Sequence, residues 1–127
     1  EIHQYVHKAI DCKHIKLVDG TARVWLKKCA ILIYSSSGTV FEATSLGIPS
    51  IYVGPNNGLD LDKIPTGSRL KCRSSEDLRE IILKIMSDTS LAKDAVRHAQ
   101  KALRLCFSDP NPEIWSNLVS LKTKVGQ

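Results

Sequence analysis

The sequence predicts an α/β fold: a three-layer sandwich of about four parallel strands with flanking helices and a helical tail at the C-terminus. Three observations predict it. Short apolar runs at Ala30-Ile31-Leu32-Ile33-Tyr34 and Ser50-Ile51-Tyr52-Val53 read as buried strands. Around them lie stretches with apolar residues at helical spacing, such as Leu78, Ile81, Ile82 and Ile85. Strands that alternate with helices need crossover connections, which makes neighbouring strands parallel and puts helices on the sheet faces.

Each element has its own signal. Ile2, Tyr5, Val6, Ala9 and Ile10 recur at helical spacing and open the chain with a helix. His14-Ile15-Lys16-Leu17-Val18 alternates polar and apolar residues and runs into Asp19-Gly20, which predicts a strand and a turn. A short helix is expected over 22–29, then the strand 30–34, a helix over 40–46 and the strand 50–53. Gly47 followed by Ile48-Pro49 is a helix stop, because Gly accepts the left-handed residue and Pro cannot continue the helix. Residues 54–68 are loop chemistry, and Arg69-Leu70-Lys71-Cys72 reads as a weak last strand. Ser74-x-x-Asp77 resembles a capping box and opens the next helix. A break at 87–90 precedes an amphipathic helix from Leu91 to Cys106. After a turn at Ser108-Asp109-Pro110-Asn111-Pro112, a last helix runs to Lys124 with Ile114, Trp115, Leu118 and Leu121 inward.

A chain of 127 residues is one domain's worth, long enough to bury a core. It opens on Glu1 rather than Met, and the expectation is a piece of a larger protein. Its 43% apolar and 24% charged residues describe an ordinary globular composition, without an apolar run that spans a bilayer and without a signal-peptide pattern. The net charge of +5 favours anionic partners. Nucleic acid is not expected, since the basic residues are scattered and no aromatic platform is interleaved with them. Cys12, Cys29, Cys72 and Cys106 form no C-x-x-C pair and read as reduced thiols. No metal site is expected; His3 and His7, four apart on a helix, read as exposed histidines.

The chemistry concentrates in Ser35-Ser36-Ser37-Gly38-Thr39-Val40-Phe41-Glu42-Ala43. A strand feeding a Ser/Gly/Thr turn and then a helix aims hydroxyls and backbone N–H groups at one point, which suits a phosphate. Glu42 repels phosphate but accepts hydrogen bonds from sugar hydroxyls. Thr39-x-x-Glu42 is at the same time a possible capping box. Three strand ends, 19–21, 35–39 and 54–58, are expected on one edge of the sheet, where ligands of such folds bind.

The segment from His14 to Ile85 resembles the C-terminal, donor-binding half of GT-B type glycosyltransferases, and the fold-related non-hydrolysing UDP-N-acetylglucosamine 2-epimerases. The residues that carry the resemblance are Ser35-Ser36-Ser37-Gly38-Thr39, Glu42-Ala43, Gly47, Pro49 and Ser50 to Gly54, in that order. The match covers a little over half the chain. The resemblance implies a Rossmann-like domain in which Ser36, Ser37, Gly38 and Thr39 cradle the donor diphosphate and Glu42 binds the ribose. It also implies that Gly20 and Thr21, within the turn 18–21, offer backbone groups to the nucleobase. Asn57 is placed near the donor sugar.

Two further βα units and the acceptor domain of that family are absent. Residues 1–127 are therefore expected to form a single, incomplete donor-binding half, a fragment or one subunit of a split enzyme. The implied activity is transfer of a sugar from a nucleoside diphosphate sugar, most simply a UDP-sugar, to a glycan or lipid acceptor in polysaccharide or glycoconjugate synthesis. No cofactor is implied, no catalytic residue is assigned, and the isolated chain is expected to be inactive. The setting is cytoplasmic, with peripheral association at the inner membrane face as a variant. The alternatives are part of a 2-epimerase, which predicts more charged side chains in 54–68, and a non-catalytic interaction module, which predicts an exposed apolar patch.

Overall fold

A computed structural model describes residues 14–107, Leu17 excepted. The helix expected over 2–10, the turn at 108–112 and the helical tail beyond it lie outside the described residues, as do His3, His7 and Cys12. The described chain is mixed α/β. In order it forms α1 (Ala22–Leu26), β1 (Leu32–Tyr34), α2 (Thr39–Ser45), β2 (Ser50–Val53), β3 (Lys71–Cys72), α3 (Ser75–Ser87) and α4 (Thr89–Cys106). The strands make one small open sheet in the order β1-β2-β3, parallel throughout. Ile33 pairs with Ile51, Tyr34 with Tyr52, and Val53 with Cys72.

Alternate residues of a strand face opposite sides, and the core divides accordingly. Tyr34 and Tyr52 cluster with Val40 of α2, Ala102 of α4 and Ile64 from the long loop. Ile51 and Cys72 cluster with Leu70, Ile85 of α3 and Ala95 of α4. Leu26 of α1 packs on Ala43 and Ile48, tying α1 to α2. β1 is an edge strand, and its Ile33 remains 48% exposed.

The helix ends follow from local chemistry. Gly47 adopts φ +74°, the left-handed conformation the Gly-x-Pro pattern predicts, and Ile48 N–H reaches back to Ala43 O at 2.9 Å. Ser74 Oγ accepts the Asp77 N–H at 3.1 Å, while Asp77 Oδ2 accepts the N–H of Arg73, one residue before the cap, at 3.3 Å. Asp88 alone joins α3 to α4. Its N–H closes α3 on Lys84 O at 2.8 Å, and its Oδ1 caps α4 by accepting the Ser90 N–H at 2.9 Å.

Several sequence expectations are corrected. The described residues of 14–18 form no strand: Ile15 and Val18 stay about half exposed and nothing in the sheet pairs with them. Alternation is a pattern any exposed extended segment can show; a strand needs a ladder partner as well. The sheet thus has three strands among the described residues rather than four. The helix expected over 22–29 stops at Leu26, where Lys28 and Cys29 donate back to Trp25 O and Leu26 O in tight turns. The break expected over 87–90 shrinks to Asp88. No helix among the described residues is long and apolar enough to cross a membrane.

Candidate functional site

Parallel pairing of β1, β2 and β3 sends the segments that follow them, beginning at Ser35, Gly54 and Arg73, out from one edge of the sheet. Two of the three strand ends expected there are in place. The third, at 19–21, is not, because no described strand leads into it; the end of β3 also lies on this edge. Gly20 sits at φ +107° in a turn that Trp25 Nε1 closes on Asp19 O at 2.7 Å, and Thr21 is the first residue before α1.

Within the Ser/Gly loop, Ser36, Ser37 and Gly38 are exposed and Thr39 is half-buried. Ser37 Oγ donates to Thr39 Oγ1 at 2.9 Å and accepts the Thr39 N–H at 3.2 Å. Gly38 occupies the cap position with no side-chain cap, so Thr39 is the first residue of the helix and the Thr39/Glu42 capping box does not form. Glu42 is exposed in the first turn, and its side chain makes no hydrogen bond or ion pair among the described residues. It lines a groove of about 540 Å³ on the flank of α2, together with Arg23, Phe41, Leu46, Arg104 and Phe107. Phe41 and Phe107 meet edge to face across 5.4 Å. None of the other predicted site residues lines that groove. Asn57 is exposed in the turn after β2, between Pro55 and Gly58.

The strongest polar cluster is one the sequence reading missed. Asp62, with a side chain only 4% exposed, is the hub of the long loop. Its Oδ1 accepts the Tyr34 hydroxyl at 2.5 Å, the Ile64 N–H at 3.1 Å and the Ser68 hydroxyl at 3.1 Å. Its Oδ2 accepts the Ser68 N–H at 2.6 Å and Lys71 Nζ at 3.1 Å. Lys71 reaches the more exposed Asp60 at the same distance and lies 5.3 Å above the Tyr52 ring, whose hydroxyl accepts the Leu61 N–H.

Burial alone would raise the Asp62 carboxyl, but the donors from Tyr34, Ser68, Ile64 and Lys71 outweigh it and hold it below the usual carboxylate range. Burial and the Asp62 hydrogen bond push the Tyr34 phenol up, so it stays a neutral donor. Burial opposes the charge on Lys71, yet the two carboxylates raise it. The signal for this hub was an Asx turn, Asp62 two residues ahead of Ile64, in a segment read only as loop chemistry.

On the far side of the loop, His98 Nε2 lies 3.1 Å from both Thr66 Oγ1 and Gly67 O, fastening the segment to α4. No group of three or more metal-ligating side chains exists among the described residues. Comparison with protein-family models, curated proteins and solved structures gives no match.

Proposed function

We propose that the chain is the donor-binding part of a GT-B type glycosyltransferase that takes a nucleoside diphosphate sugar, most simply a UDP-sugar. The observation that supports this most is the parallel pairing of β1 with β2. It brings the Ser35–Gly38 loop and the turn 54–58 to one sheet edge, with α2 starting at the end of the first. On this reading the three strands belong to a larger Rossmann-like sandwich whose remaining βα units, with a fourth strand, lie beyond the described sheet.

The loop N–H groups and the hydroxyls of Ser36, Ser37 and Thr39 hold the diphosphate, and Glu42 accepts the ribose hydroxyls. As the sugar leaves, negative charge grows on the diphosphate, and fixed donors stabilise that charge without reorganisation. A general base on an acceptor-binding half, on the same polypeptide or a separate subunit, deprotonates the glycan or lipid hydroxyl. The setting is the cytoplasm or the inner membrane face. The 2-epimerase alternative is less well supported, because Asp62 is engaged inside the fold instead of facing a cleft.

Titrating the chain with UDP, CDP and GDP while following amide NMR shifts tests the proposal. The expected result is binding near millimolar, with shifts over residues 35–42. Absence of any response there with all three nucleotides refutes it. One observation favours a second reading, a non-catalytic interaction module: Leu46 and Phe107, 44% and 61% exposed, line an apolar groove. That reading predicts no nucleotide response at all.

A further inference from the structure

We infer that a separate oxyanion site lies between the carboxyl ends of β2 and β3, with Lys71 and Arg73 as its cationic donors and Asp60 as the internal carboxylate that the ligand displaces. The ligand class is a phosphate dianion, free or carried by a larger molecule. The inference does not depend on the nucleotide-sugar reading, since none of its residues belongs to the Ser36–Glu42 loop.

A cavity of about 40 Å³ opens at this edge, lined by Gly54, Gly58, Asp60, Lys71, Cys72 and Arg73. Lys71 and Arg73 are two residues apart where β3 ends, the spacing that places side chains on one side of a strand. Lys71 is already oriented: it rests over the Tyr52 ring and is held by Asp60 and Asp62, each at 3.1 Å. Arg73 makes no ion pair among the described residues. Its backbone N–H is taken by Asp77 Oδ2 at 3.3 Å, which fixes its position at the strand end and brings a further carboxylate to its backbone.

The two carboxylates on Lys71 differ in kind. Asp62 is 4% exposed and saturated by four donors besides Lys71, so it is part of the framework. Asp60 is 55% exposed, and among the described residues it is held by Lys71 and by the Asp62 N–H, at 2.9 Å. An exposed ion pair of this sort contributes little. A phosphate dianion carries twice the charge and enough acceptor oxygens to bridge an ammonium and a guanidinium at once, so it outcompetes a single carboxylate.

The glycines keep the wall thin. A Cβ on Gly54 would meet the Tyr52 ring at 2.8 Å, and Gly58 takes φ +126° to turn the chain back over the cavity. The site is therefore formed by a lysine fixed in place, an arginine without an ion pair among the described residues, and one loosely held carboxylate between ligand and lysine.

The test is a titration of the full chain with inorganic phosphate, read by amide shifts at Gly58, Lys71 and Arg73, in the wild type and in Asp60→Asn and Arg73→Gln. Asp60→Asn removes the competitor, so phosphate affinity is expected to rise about two- to fivefold. Arg73→Gln is exposed and leaves the fold intact; affinity is expected to fall about tenfold. Unchanged or weaker binding in Asp60→Asn, unchanged binding in Arg73→Gln, or no shifts at these three residues each overturns the inference.

Adding UDP separates the sources. Displacement of phosphate from Arg73 assigns the site to a ligand-borne phosphate, and independent binding assigns it to free phosphate. A phosphate response here with silence at 35–42 in every nucleotide sinks the glycosyltransferase reading and leaves this one standing.

Discussion

Replacing Asp62 with alanine removes the side chain on which most of the long loop's hydrogen bonds converge. Two donors lose their partner in a largely buried place, the N–H groups of Ile64 and Ser68, while the Tyr34 hydroxyl keeps the Ser68 hydroxyl at 2.6 Å. An orphaned buried donor costs about 1–3 kcal/mol, while Lys71, 37% exposed and still paired with Asp60, adds little. The two donor costs overlap, because the loop relaxes and admits water. The expected loss is about 2–4 kcal/mol, a large part of the stability of a domain this size. In urea unfolding at pH 7 that is a midpoint lowered by about 2 M with little change in slope. A lowering under about 0.5 M refutes the hub.

The pH dependence has a defined sign. The folded-state Asp62 carboxyl is held below its unfolded value, so its contribution is fully present above the unfolded value, about 3.9, and is lost as pH falls through the folded one. The stability gap between wild type and Asp62→Ala therefore stays constant down to about pH 5 and closes below about pH 4. A gap unchanged from neutral pH to about pH 3 contradicts the assignment.

Thr44 is 1% exposed and its hydroxyl has no partner among the described residues, so Thr44→Val is expected to be neutral or to stabilise by about 1 kcal/mol. Thermal unfolding checks this, and a clear loss of stability means the hydroxyl has a partner. Gly47→Ala meets no atom within 4 Å but inherits φ +74°, so chemical denaturation should show a purely conformational cost of about 1–2 kcal/mol. An equal stability would show that the turn adjusts. Glu42→Gln is exposed and structurally silent, and on the glycosyltransferase reading it weakens UDP binding about tenfold in the NMR titration. Unaltered affinity removes Glu42 from the ribose role.

What was legible in the sequence was what neighbours in the chain decide. The stop at Gly47, the cap at Ser74 and the two apolar strands 30–34 and 50–53 rest on chemistry within a few residues, and the structure carries them with small trims at the ends. Partnership at a distance was not legible. The alternation in 14–18 said nothing about whether a ladder partner existed. Tyr34 and Asp62 lie 28 positions apart, and nothing in either neighbourhood announces the other. The same limit applies to the candidate site. The Ser35–Gly38 loop was placed by its flanking strands. The arginines that share a groove with Glu42 come from α1 and α4, and only the folded chain brings them together.

Asp88 has a consequence for how α4 meets the rest of the molecule. One residue closes one helix and starts the next, so the connection has no slack, and it sets the rotational phase of an 18-residue helix. Each added residue advances a helix by about 100°. A single insertion beside Asp88 would swing Ala95 and Ala102 out of the two separate core clusters they join, and turn His98 away from the loop it fastens. Length at this joint is held as tightly as any side chain in the core, while the 54–68 loop, pinned at Asp62, has room to vary at its exposed tip.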